Sequence, residues 1–197
     1  MKKIFFLILT LSLFALPRAG LADSAARQTL EGNITKITAI LEEKGSRTEA
    51  KKKETQDKLM AVIAPFFDWA AMSQRALGLA WKQMSPEQQG EFAELFKKLL
   101  AKVYMSRLLS YQGEKVVYGK ESAASDKLTE IQTRVQSTDK EIPIDYRLLL
   151  KNNEWRVYDV VVEGVSLASN YRSQFSEFLT NKTVAELLAN LRQKVKE

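Results

Sequence analysis

Asp159 and Glu163, on either side of Val160-Val161-Val162, come nearest in this sequence to a pair of catalytic carboxylates. Four residues of extended chain put both on one face of a strand, but about 13 Å apart. That exceeds the separation at which two carboxyl groups share acid and base roles across a glycosidic bond. Asp159 suits a structural role better, as a hydrogen-bond acceptor at the end of a neighbouring helix. Ser166 is the other residue with a chemical use to weigh, as an esterase nucleophile. The 197 residues include no His and no Cys, so no imidazole can activate it, and no Gly-x-Ser-x-Gly elbow surrounds it. No Ser-x-x-Lys opens a helix, and there is neither a Gly-rich phosphate loop nor an acidic cluster with calcium-loop spacing. The lack of Cys also removes disulfides, thiolate metal clusters and a lipid-modified Cys. The expectation is a protein that binds: not an enzyme, with no metal and no cofactor.

The formal charge of +6 invites a nucleic-acid reading until it is located. Lys2 and Lys3 precede a mostly apolar run from Ile4 to Leu16, followed by Pro17-Arg18 and Gly20-Leu21-Ala22. A positive start, a short apolar stretch and small residues at −3 and −1 of a cut after Ala22 have the form of a secretory signal peptide. The stretch is too short to span a bilayer comfortably, and no other apolar run reaches ~18 residues. The reading is a signal peptide over 1–22 and one exported domain over 23–197. Beyond Ala22 there remain 27 basic and 24 acidic residues, a charge of +3. That excess is too small to mark a nucleic-acid partner, and the aromatic residues fall on apolar stripes instead of alternating with cations.

The elements that position these residues are legible in the spacing. Leu30, Ile34, Ile37 and Leu41 predict a helix over 24–44, and a second, charged at its start, covers 48–64 until Pro65 breaks it. Lys51-Lys52-Lys53 among Glu49, Glu54 and Asp57 reads as a solvated helix face. A short helix opens near Phe67-Asp68-Trp69. Ser85-Pro86-Glu87-Gln88 is a capping box that starts a helix running to about Tyr111. Its apolar stripe is wide enough for two packing layers, or for one layer and a cavity. After Gly113 the period becomes two. Strands are predicted at Val116–Tyr118, through Ile131, Thr133 and Val135, from Ile142 to Leu150, and at Glu154–Val162, with Asn152-Asn153 as a hairpin turn. Gly164 needs positive φ in a turn, Ser166 caps a helix through Phe178, and a last helix covers 183–195. The fold class is α+β: a curled, four-stranded antiparallel meander packed against helices and enclosing an apolar pocket.

Several blocks then resemble the MlaC, or toluene-tolerance, family of periplasmic phospholipid-binding proteins. They are Phe67-Asp68-Trp69 with Met72; Ala76-Leu77-Gly78 and Trp81; Ser85-Pro86-Glu87-Gln88 with Phe92; and Tyr104 with Tyr111-Gln112-Gly113-Glu114. The longest runs from Trp155 to Leu167 and on through Asn170-Tyr171-Arg172-Ser173-Gln174-Phe175. Trp69 stands where relatives often carry Phe. The resemblance implies a monomeric periplasmic carrier that holds phospholipid by its acyl chains, leaves the head group outside, and serves outer-membrane lipid asymmetry. Its implied partners are an inner-membrane ABC transporter with an MCE domain and an outer-membrane lipoprotein–porin complex. A related branch is associated with hopanoids, and an adaptor without ligand is the rival of another class.

The physics of such cargo is demanding: roughly 30 methylenes at about 0.8 kcal/mol each resist water by over ~20 kcal/mol. A carrier must supply an apolar slot with a wet mouth. Alternation nominates Ile131, Val135, Ile144, Tyr146, Leu148, Trp155 and Val157 from the sheet. The helix stripes nominate Phe67, Met72, Leu77, Trp81, Phe96, Leu100, Val103 and Tyr104. Arg147 and Arg172 could each meet a phosphate or serve as ordinary surface or capping residues.

Overall fold

The computed structural model describes residues 24–43, 45 and 48–196. The signal-peptide reading of 1–22 lies outside them. Ser24 Oγ accepts the Arg27 N–H at 3.0 Å and starts α1 (Ala25–Glu42). The next helix, α2 (Glu49–Phe66), runs one residue past Pro65, where a break was expected. Pro65 has no N–H to donate to Ala61 O and crowds that carbonyl, and the helix tolerates this for only one further residue. Phe67 then leaves in extended conformation.

Asp68 Oδ1 accepts the Ala71 N–H at 2.8 Å and caps α3 (Trp69–Leu77). Gly78 closes α3 at φ 57°, and a 3₁₀ helix follows over Gly78–Gln83. The helix α4 (Pro86–Leu109) opens on the expected capping box. Gln88 N–H donates to Ser85 Oγ at 3.3 Å, and Ser85 N–H donates to Gln88 Oε1 at 3.0 Å.

The antiparallel sheet follows chain order: β1 (Lys115–Ser125), β2 (Leu128–Gln136), β3 (Glu141–Lys151), β4 (Glu154–Val162) and β5 (Val165–Ser166). It has five strands where four were expected. Glu163 and Gly164, at φ 51° and 80°, form a tight turn that folds Val165 back onto Val162. Two residues carry no readable alternation, so only the turn produces that strand. The expected three-residue first strand is also longer, at 11 residues. Its second half, Glu121–Ser125, is polar and small, and is extended by pairing with β2 across register shifts. Asn152 and Asn153 take φ 51° and 61°, the left-handed pair that a two-residue hairpin turn requires. Ser166 Oγ accepts Ser169 N–H at 3.0 Å and starts α5 (Leu167–Asn181); α6 (Val184–Lys196) completes the described chain. No helix among the described residues is long and apolar enough to cross a membrane.

Helices and sheet are tied at Asp159, which is 1% exposed. Its Oδ1 accepts the Ala168 N–H at 3.1 Å, and its Oδ2 accepts from Ser166 Oγ at 2.6 Å and from Arg147 Nη1 at 3.1 Å. The carboxylate thus holds the first turn of α5 against β3 and β4, the helix-end role anticipated for it. Replacing Asp159 by Ala leaves the partly exposed Arg147 with Glu130 alone and strips the buried Ala168 N–H of its acceptor, and should cost about 2 kcal/mol. Urea denaturation measures it; Ser166→Ala, which removes the cap alone, should cost about 1 kcal/mol.

Candidate functional site

Register places one apolar face across three strands. Ile131 opposes Tyr146, Thr133 opposes Ile144 and Val135 opposes Ile142; Tyr146 opposes Val160, Leu148 opposes Val157, and Ile144 opposes Val162. Ile131, Leu148 and Val157 are fully buried, and they pack with Val160, Phe66 and the α1 residues Ala26, Leu30 and Ile34. Val116, Tyr118, Ile144, Tyr146, Trp155 and Val162 pack against this cluster but keep part of their surface accessible.

A second apolar cluster lies among the helices. Met72, Ala76, Leu77, Phe92, Phe96, Leu100, Tyr171, Phe175 and Leu188 belong to it, with Trp81 and Tyr104 packed alongside. Its aromatic rings meet edge to face: Phe96 and Tyr171 are centred 5.1 Å apart, and Phe92 and Phe175 5.4 Å. Phe67 and Leu167 touch both clusters and form the seam between them. Phe67 stacks on Trp69 at 4.9 Å, and Trp69 Nε1 donates to Ala64 O at 2.9 Å, which fixes the pair at the end of α2.

The nominated residues therefore fall into two groups. Ile131, Ile144, Tyr146, Leu148, Trp155 and Val157 share the sheet face; Met72, Leu77, Trp81, Phe96, Leu100 and Tyr104 share the helix cluster; Phe67 joins them. Val135 extends the sheet face without entering the central cluster, and Val103 is 44% exposed on α4. Spacing did not reveal the cover over the sheet. The stripe Leu30–Ile34 was readable as a buried face, but nothing local says against which element. Phe66, adjacent to the nominated Phe67, was likewise missed.

An open hollow of about 470 Å³ lies where α1, the end of α2 and the β3–β4 hairpin converge. Ala25, Pro65, Phe66 and Trp155 supply its apolar walls; Thr29, Asn33, Asn153, Glu154 and Arg156 supply its polar ones. Along the first strand pair, Glu121 shares the apolar face with Tyr118 and is satisfied there. It accepts from Ser24 Oγ at 2.7 Å and Thr129 Oγ1 at 3.2 Å, and lies 4.0 Å from Arg27 Nε. Arg27 also donates to Gly119 O, so the start of α1 is fastened to β1. Burial pushes the phenols of Tyr118 and Tyr146 up to about 12, keeping both neutral. Arg147, one of two candidate phosphate contacts, is committed to the polar face of the sheet: its Nε donates to Glu130 at 2.7 Å and its Nη1 to Asp159.

The MlaC protein family model matches residues 31–193. The chain belongs to the MlaC family. A toluene tolerance protein, ttg2D, of Pseudomonas putida is 23% identical over 84% of this chain and 78% of its own length. The intermembrane phospholipid transport system binding protein MlaC of Haemophilus influenzae is 22% identical over 97% of this chain and 92% of its own. Among solved structures, a phospholipid-binding protein from Ralstonia solanacearum in complex with a phospholipid superimposes with a TM-score of 0.79. It is 27% identical, over 89% of this chain and 98% of that one.

The seam also carries an ion pair between a buried carboxylate and an exposed lysine. Asp68 is 4% exposed; its N–H donates to Val157 O at 2.8 Å, and its Oδ2 accepts from Lys151 Nζ at 2.7 Å. Burial opposes its charge, but Lys151 and the Ala71 N–H outweigh that and hold the carboxyl below its usual range. A depressed carboxyl pKa stabilises the fold in full above the unfolded value, and that stability disappears as pH falls through the folded one. Asp68→Asn should therefore cost about 2 kcal/mol at neutral pH and flatten the loss of stability below about pH 4. Thermal melting across pH 2–7 measures both.

Proposed function

We propose that this protein is a periplasmic phospholipid carrier that holds acyl chains along the seam between the sheet face and the helix cluster. The observation that carries the reading is the kinship in fold with a protein that holds a phospholipid, over nearly the whole length of both chains. The distribution of residues supports it. Two apolar surfaces meet at Phe67 and Leu167, and the sheet side retains partly accessible Ile144, Tyr146 and Trp155. The nominated sheet and helix residues other than the exposed Val103 are the proposed lining, and the hollow at Trp155 is the proposed mouth.

Such a site needs no catalytic residue. Its cargo is held by exclusion from water, and the phosphate head can stay solvated at the mouth. The carrier passes phospholipid between outer and inner membranes and maintains outer-membrane lipid asymmetry. Its membrane partners are an MCE-domain ABC transporter on one side and a lipoprotein–porin complex on the other. Residues 1–22 direct export, and the carrier acts as a monomer.

Native mass spectrometry of the purified protein is the test. Intact diacyl lipid at one per chain is expected; free fatty acid would favour an esterase, a polycyclic lipid would favour a hopanoid carrier, and no ligand across preparations would remove the carrier reading. Ile144→Trp or Leu100→Trp should reduce co-purified lipid at least tenfold while circular dichroism remains native. Unchanged lipid in both folded variants would strike these positions from the lining.

A further inference from the structure

The second candidate phosphate contact, Arg172, has a different fate from Arg147. It lies across the backbone of Gly78, with Nη2 and Nε 2.8 and 2.9 Å from where a Cβ at position 78 would stand. The φ of 57° found there favours glycine, and a Cβ would push the guanidinium aside. Among the described residues no carboxylate pairs with Arg172. Arg172 is exposed, and its planar guanidinium matches the oxygens of a phosphate two at a time.

Arg172, Ser176 and Thr180 form one stripe of α5, and they face Leu77, Leu79 and Ala80 across an open groove of about 270 Å³. Leu79 is 75% exposed, the most exposed large apolar side chain among the described residues. In a 3₁₀ helix residues three apart eclipse, so Lys82, exposed and without an ion pair among the described residues, stands beside Leu79. Residues 69–86 carry Arg75 and Lys82 and no acid. Arg75 is occupied over the Tyr158 ring at 4.1 Å. The one carboxylate of α5, Glu177, is five residues from Arg172, about 140° round the helix.

A lone protruding Leu flanked by two cations is a poor protein–protein core, which is apolar and depleted in charge. It is the pattern of a surface that rests on a bilayer, with the apolar group at headgroup depth and cations on lipid phosphates. We propose that the groove between the 3₁₀ helix and α5 docks this protein on anionic phospholipid bilayers, Leu79 entering the headgroup layer while Arg172 and Lys82 meet lipid phosphates. The Ser176 hydroxyl is an additional hydrogen-bond donor in the groove, while that of Thr180 donates to Ser176 O at 3.0 Å. The groove borders the proposed lining at Leu77, but Leu79, Lys82 and Arg172 lie outside that lining, so either function can fail without the other.

Flotation with vesicles of equimolar phosphatidylglycerol and phosphatidylcholine tests it, beside vesicles of phosphatidylcholine alone, with bound cargo measured in the same preparations. The protein should float with the mixed vesicles and at least fivefold less with the neutral ones. Arg172→Gln and Leu79→Ser should each lower binding to the mixed vesicles about fivefold, with melting temperature and cargo unchanged. Failure to float with mixed vesicles, equal binding to both kinds, or wild-type binding by both variants would overturn the docking. If the protein carries no lipid yet floats as described, the docking stands and the carrier reading falls.

Discussion

The apolar face of the meander must be kept from water, and the rest of the molecule is arranged around that constraint. Ile131, Leu148 and Val157 lie at its centre, fully buried, and each is worth about 1.5–3 kcal/mol when removed from solvent. A single antiparallel sheet cannot bury its own face, so another layer has to. Here α1 covers part of it, through Ala26, Leu30 and Ile34, and the Phe67–Leu167 seam covers the side nearest the helix cluster. The opposite face can be polar because its charges are paired: Arg147 bridges Glu130 and Asp159 across three strands.

Two buried carboxylates convert this layering into a defined geometry. Asp68 starts α3 and Asp159 braces the start of α5, and both are tied to β4 or its neighbour. Buried charge is costly when unpaired, and each of these is matched by a cation and by backbone N–H groups at a helix N-terminus, where the dipole favours an anion. The two helices that border the seam are thereby aimed from the same strand.

The two sides of the seam differ in character. On the helix side, interlocked rings of Phe92, Phe96, Tyr171 and Phe175 make a dense core. On the sheet side, Ile144, Tyr146 and Trp155 are only partly covered, under a helix whose contact residues begin with alanine. Cargo is most readily accommodated where packing is least complete, because filling unoccupied apolar surface gains dispersion contacts that a dense core already has.

Much of this was legible in the sequence, for local reasons. Helical spacing, the capping box at Ser85, the Asn152-Asn153 turn, strand alternation and the structural use of Asp159 all depend on residues close along the chain, or on chemistry that eliminates alternatives. The absence of His and Cys by itself turned the reading from catalysis to binding. What only the tertiary structure decided was the destination of each apolar stripe. The Leu30–Ile34 face required something to bury it, and spacing alone cannot say that the sheet would do so. The same holds for the two arginines: Arg147 and Arg172 are equivalent as letters, yet register places one between two carboxylates while a distant glycine leaves the other lying open in a groove. Periodicity is a property of neighbours in sequence; partnership is set by residues tens of positions apart, and only the packed chain brings those together.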